Sequence, residues 1–190
     1  LLCLGATWAD VIRRVPRLAQ TGEDRNLLGQ SVSLGGCAFN AGAAGRCVGG
    51  AETTLFSPVG GGLWGDWVRR ALAQRGIVSL IPPVEAPNGC CYCLVLDREA
   101  DLPVLAGAEY RFRPEWLDLL GDAPYDGVYL CGLEVEEETG EVLLVYLERH
   151  PPRRLYFAPG PRRSPIPPQR MARIFALPPL TPLHAAVVAF

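Results

Sequence analysis

The spacing of apolar and polar positions changes period several times along the chain. Residues 2–6 are apolar throughout, the pattern of a strand buried on both faces. After a turn around residues 7–10, residues 11–15 continue as an extended segment. Residues 30–34 alternate and predict a half-exposed strand. Gly35-Gly36 punctuates the chain, and residues 39–48 are rich in Ala, predicting a helix whose small face suits close packing on a sheet. Gly49-Gly50 ends it. Residues 53–59 are β-branched and aromatic, a second strand. Gly60-Gly61-Gly62 follows, and Leu63, Trp67 and Leu72 then recur at helical spacing over residues 63–75, with Gly76 as a stop. Strand, helix, strand, helix in that order predicts an α/β fold with a mainly parallel sheet.

The middle of the chain breaks this rhythm. Residues 77–81, 90–96 and 103–106 predict short strands, with turns at Pro82-Pro83, Pro87-Asn88-Gly89 and residues 97–101. Strands without intervening helices point to a small antiparallel excursion from the main sheet. A helix over 114–120 opens on Pro114. Residues 127–131 predict a buried strand, 136–148 an acidic amphipathic helix, 155–157 a strand and 169–176 one more helix. From Pro159 the chain becomes rich in Pro and Arg. The end carries Pro178, Pro179 and Pro182 before a short apolar run at 185–190. No internal repeat and no clear linker divides the 190 residues, a length that suits one domain.

Composition narrows the chemistry. All 18 basic residues are Arg, against 20 acidic ones, for a net charge of −2. Without Lys there is no P-loop lysine and no lysine Schiff base. A near-neutral chain has no bulk attraction to nucleic acid or anionic lipid. No stretch approaches the ~20 apolar residues of a membrane span. The amino-terminal segment lacks a basic start and soon meets Asp10, Arg13 and Arg14, so it reads as a strand rather than a signal peptide. Seven cysteines scattered through apolar runs suit reduced, buried thiols in a cytoplasmic protein.

Cys90-Cys91-Tyr92-Cys93 contains a CxxC spacing, but no second ligand pair accompanies it, and alternation along a strand accounts for it. His150 and His184 have no metal spacing, so no metal site is expected. Gly60-Gly61-Gly62-Leu63-Trp64-Gly65 lies between a strand and a helix, where open backbone amides could cradle an anion or a hydroxyl-rich ligand; a simple tight turn is the equal alternative. Gly35-Gly36 followed by Asn40 says more. Two glycines permit a sharp bend, and Asn40 then falls in the first helical turn, where its amide can grip a sugar hydroxyl or cap the helix. Asp10 and Glu134 each follow a predicted strand, and ligands of α/β sheets collect at the carboxyl ends of strands.

Taken in order, GATWAD at 5–10, SLGGCAFNA at 33–41, LFSPVGGGLWG at 55–65 and VYLCGLE at 128–134 resemble the PfkB (ribokinase-like) carbohydrate kinases, from the start of the chain to about Arg162. The resemblance implies a three-layer α/β/α core with a mainly parallel sheet and a small β lid, the lid formed by segments about 10–34 and 77–106. It implies transfer of the ATP γ-phosphoryl group, with Mg2+, to a hydroxymethyl group of a sugar or nucleoside-like substrate. It assigns Asp10, Gly35, Gly36, Asn40 and Glu134 to substrate binding, with Gly61 and Gly89 as further substrate or lid positions. Lid strands in this family can pair between subunits, so a homodimer through the lid is an expectation too. The chain departs from the family at Gly62 and Ala158, where Asp is frequent. The family's N-x-x-E motif and its G-x-G-D motif, which carries the catalytic Asp, have no counterpart here. The expectation is therefore the substrate-binding half of a single, incomplete domain, inactive as it stands, with an atypical tail over 163–190. The alternative is a non-catalytic sugar-binding or regulatory module derived from such a kinase.

Overall fold

The computed structural model describes residues 1–96, 99–121, 125–160, 165–177 and 180–182. His184, the apolar run at 185–190, Arg162, part of the expected 97–101 turn, and Pro178 and Pro179 lie outside them. The first half of the chain runs β1 (Leu2–Leu4), β2 (Trp8–Arg14), β3 (Gly29–Gly35), α1 (Cys37–Gly49), β4 (Thr54–Phe56) and α2 (Gly62–Ala73). Then come β5 (Cys90–Leu96), β6 (Glu99–Asp101), β7 (Val104–Leu105) and two 3₁₀ turns, at Ala108–Tyr110 and Pro114–Leu120. The second half continues with β8 (Val128–Cys131), α3 (Gly132–Glu136), α4 (Gly140–Arg149), β9 (Leu155–Ala158), α5 (Pro168–Ala176) and β10 (Leu180–Pro182).

The first sheet has the order β10-β9-β8-β1-β4, with every pair parallel. Alternation along β1 sends Leu2 and Leu4 to one face, with Phe56, Leu130 and Phe157. Cys3 goes to the other face, with Leu55. Leu143, Leu144 and Leu147 of α4 and Ile174 of α5 cover the first face. Ala38 and Phe39 of α1, with Val68, Ala71 and Leu72 of α2, belong to the core on the second. Because both faces are buried, the strands read as continuous apolar runs. The small residues of α1 serve close approach: a Cβ on Gly42 would lie 3.4 Å from the Cys3 thiol. The α/β class with a parallel sheet is as the sequence predicts.

The second sheet has the order β3-β2-β5-β6, with β7 also on β5. β2 and β3 are antiparallel, whereas β2 and β5 are parallel because the long crossover through α1, β4 and α2 joins them. Its two faces also differ. Ala9, Val11, Leu34 and Cys90 join the core under α2. Trp8, Cys91 and Cys93 pack with Tyr110 on the other face.

Several local expectations change. Residues 77–81 contribute a single parallel bridge, Ser79 to Leu55, because Pro82-Pro83 cannot extend a hydrogen-bonded ladder. Residues 99–101, expected in a turn, form β6 against β5. The segment at 114–120 is 3₁₀, with Trp116 N–H donating to Arg113 O at 3.1 Å. The acidic helix begins later than expected, at Gly140, because α3 and α4 cross tightly: a Cβ on Gly140 would lie 2.0 Å from Glu134 O. Within the segment expected to be atypical, Ile166, Ile174 and Leu177 are buried in the main core, and β10 pairs parallel with β9. β10 is an edge strand of its sheet, where Pro182 is tolerated. No described helix is long and apolar enough to cross a membrane.

Leu130 sits at the centre of the first sheet with no exposed surface. Leu130→Ala is expected to cost about 2–5 kcal/mol of unfolding free energy, read from urea titrations; a loss below about 1 kcal/mol would contradict this packing.

Candidate functional site

The carboxyl end of the first sheet is where the chain passes from β1 into the second sheet, through Gly5, Ala6 and Thr7. Glu134 reaches this crossing from α3, which follows β8 directly. The Ala6 N–H donates to Glu134 Oε1 at 2.7 Å. Gly5 has φ 144, and a Cβ there would lie 2.5 Å from the same oxygen, so only glycine admits the carboxyl group. Glu134 is fully buried, and burial pushes its carboxyl up to about 7. Its Oε2 and the buried hydroxyl of Thr7 have no hydrogen-bond partner among the described residues.

Asp10 lies inside β2 rather than after a turn. Alternation places it on the face carrying Trp8, whose indole N–H donates to Asp10 Oδ1 at 2.8 Å. Only 7% of Asp10 is exposed, and burial raises its carboxyl from the ordinary value. Gly35, opposite Trp8 on β3, makes room for it: a Cβ there would fall 2.0 Å from Oδ2. Gly36 has φ 93 and passes over Ala6, whose carbonyl oxygen would lie 2.3 Å from a Cβ. The glycine doublet thus has two tasks, one per residue. α1 begins immediately afterwards with no side-chain cap. Asn40 bonds through its backbone to Gly36 O at 2.9 Å, and its side chain is exposed, so it does not cap the helix.

Asp10, Gly35, Gly36 and Glu134 therefore gather around the 5–7 crossing, with Asn40 one helical turn away. Gly61 and Gly89 have another place. Gly61 N–H donates to Ala86 O at 2.7 Å, and Gly60 N–H to Asn88 Oδ1 at 2.9 Å. Two of the amides that could have cradled an anion are thus already taken, which favours the tight-turn reading. Gly89 N–H donates to Glu109 Oε2 at 2.8 Å, and Gly107 N–H to Oε1 at 2.9 Å. Asn88 also donates to Gly89 O at 3.1 Å. Asn88 and Glu109, both buried, brace the entry into β5; the sequence reading assigned them no role. Pro-Asn-Gly did signal the turn, but nothing near Glu109 announced a buried carboxylate. A groove of about 460 Å3 lined by Leu117, Tyr146, Arg149 and His150 holds none of these residues.

No family model matches the sequence. An Escherichia coli (strain K12) protein described as the uncharacterized sugar kinase YegV is 35% identical over 185 residues, covering 97% of this chain. The chain spans 57% of that relative's length. The ribokinase of Giardia lamblia superposes with a TM-score of 0.75 at 20% identity, over 90% of this chain and 57% of its own. The chain has the ribokinase fold. Fructokinase from Xylella fastidiosa shares it, with a TM-score of 0.68 at 19% identity over 91% of this chain and 57% of that one. In ribokinase-fold terms, the crossing at residues 5–7 joins the main α/β sheet to the smaller sheet.

The Glu134 carboxyl makes stability depend on pH with a definite sign. Its folded value, about 7, lies above the ordinary 4.5. Between those values only the folded protein holds the proton, so stability falls as pH rises through that window and levels off above it. Relative to Glu134→Gln, the wild-type chain is expected to lose up to about 3 kcal/mol between pH 4.5 and 7, measured by urea unfolding. Parallel pH profiles for the two proteins would refute this.

Proposed function

We propose that the protein is a PfkB-type carbohydrate kinase and that these residues form its acceptor-binding half. The acceptor is a sugar or nucleoside-like molecule whose hydroxymethyl group receives the γ-phosphoryl group of ATP. The observation that carries the reading is the Asp10 carboxylate. One of its oxygens is fixed by Trp8, no donor among the described residues bonds the other, and the carboxylate is seated against Gly35, which has no side chain to displace it. A carboxylate so placed accepts hydrogen bonds from sugar hydroxyls. The exposed amide of Asn40 supplies both a donor and an acceptor at the neighbouring helix start. Glu134 acts by holding the crossing in place. The sugar-kinase relative and the ribokinase and fructokinase neighbours support the same class.

ATP use is supported by an ATP-bound structure of the Xylella fructokinase. The described residues do not themselves fit the nucleotide and its metal. Their cluster of candidate metal ligands, Asp10, Cys91 and Cys93, has two thiols, whereas Mg2+ takes oxygen ligands. The amides of Gly60 and Gly61 are already bonded within the chain. These residues thus account for acceptor binding and not for phosphoryl transfer.

Calorimetry with a panel of pentoses, hexoses and nucleosides tests the reading. At least one is expected to bind, with Asn40→Ala and Asp10→Asn each weakening it about tenfold or more, the worth of one good hydrogen bond to a charged or amide group. Affinities unchanged in both variants would overturn it.

A further inference from the structure

We propose that Asp10, Cys91 and Cys93 form a binding site for a thiophilic divalent cation of the zinc class on the inner face of the second sheet. The parallel register of β2 and β5 sets Asp10 beside Cys91, and the two-residue period of a strand puts Cys93 on the same face. The Cys91 and Cys93 sulfurs are 3.7 Å apart. Two zinc–sulfur bonds of ~2.3 Å at a tetrahedral angle span about 3.8 Å, so the pair already stands at the separation one ion requires. The three ligand atoms lie within 4.8 Å of one another. The carboxylate has to close by no more than about 1 Å to reach a common centre with ~2.0–2.2 Å to its oxygen.

The surroundings suit such an ion. Exposure is 7%, 4% and 1% for Asp10, Cys91 and Cys93, so few waters compete. The Trp8 indole donates to Asp10 Oδ1 and fixes the orientation of the carboxylate, as a second hydrogen-bonding partner commonly does for a metal ligand. Tyr110 stacks on Trp8 at 5.7 Å and walls the site. A dication binds the thiolates, so coordination displaces the thiol protons. Three protein ligands leave a fourth tetrahedral position for water or a hydroxyl ligand. On the acceptor-binding reading of Asp10 proposed above, cation and sugar compete for that carboxylate.

Cobalt(II) titration of the reduced protein under anaerobic conditions tests the site. One equivalent is expected to produce thiolate-to-cobalt charge-transfer absorption with tetrahedral d–d bands, displaced by zinc. Cys91→Ser and Cys93→Ser are each expected to lose tenfold or more in affinity, with folding checked by circular dichroism, while Cys47→Ser, at an exposed thiol remote from the cluster, keeps the spectrum. No charge-transfer band in the wild-type protein, or an unchanged band in the Cys91→Ser/Cys93→Ser double variant, would overturn the proposal. Excess sugar lowers cobalt affinity if Asp10 is shared; a band indifferent to a sugar that does bind upholds the cation site and refutes the sharing of Asp10.

Discussion

The Glu134 carboxyl group accepts the Ala6 N–H while pressed so closely on Gly5 that no side chain fits there, and the site takes its geometry from that contact. β1 ends at this point, and the chain must leave the main sheet to start the second one. A backbone crossing in the interior exposes amides that need partners, because an unpaired buried donor costs on the order of 1–3 kcal/mol. Glu134 supplies one such partner from α3. α3 is short and would hold it poorly alone, but Arg170 of α5 donates to the carbonyls of Val135 and Glu136 at 2.7 and 3.1 Å, pinning the end of that helix. The Pro- and Arg-rich later part of the chain thus steadies a carboxyl group at the site.

Once the crossing is fixed, the remaining positions follow from steric exclusion. Gly36 passes over Ala6, which aims the start of α1 and with it Asn40. Gly35 admits the Asp10 carboxylate into the place that a methyl group would take. On the far side, Asn88 ties the Gly60 turn to the Gly89 strand entry, and Glu109 closes the 89 and 107 backbones together. Both sheets are therefore connected through buried polar side chains that each bond to backbone. Such contacts are intolerant of substitution, because removing one partner strands the other in a low-dielectric setting.

Much of this fold was legible in the chain because the signals were local. Apolar runs gave the parallel strands, the Ala-rich segment the closely packed helix, and the Gly35-Gly36 doublet the sharp bend. What stayed hidden depended on contacts between distant residues. Nothing adjacent to Asp10 indicates that it is a strand residue beside Cys91, so the Cys90–Cys93 run judged alone reads as mere strand alternation. Glu109 carries no signature, since its role is defined by backbones that fold back on it. The break between α3 and α4 is set by the close approach of Gly140 to the Glu134 carbonyl, which helical periodicity cannot foresee. The Gly60–Gly62 run looked open for a ligand because its protein acceptors come from the later 86–88 segment.

The central claim is that the space beside Asp10 and Asn40 is an acceptor pocket. A crystal structure of the protein with a bound sugar tests it most directly. The account predicts sugar hydroxyls within hydrogen-bonding distance of the Asp10 carboxylate and the Asn40 amide, lying over Gly35 and Gly36. A sugar bound elsewhere on the chain, with water alone between Asp10 and Asn40, would contradict it.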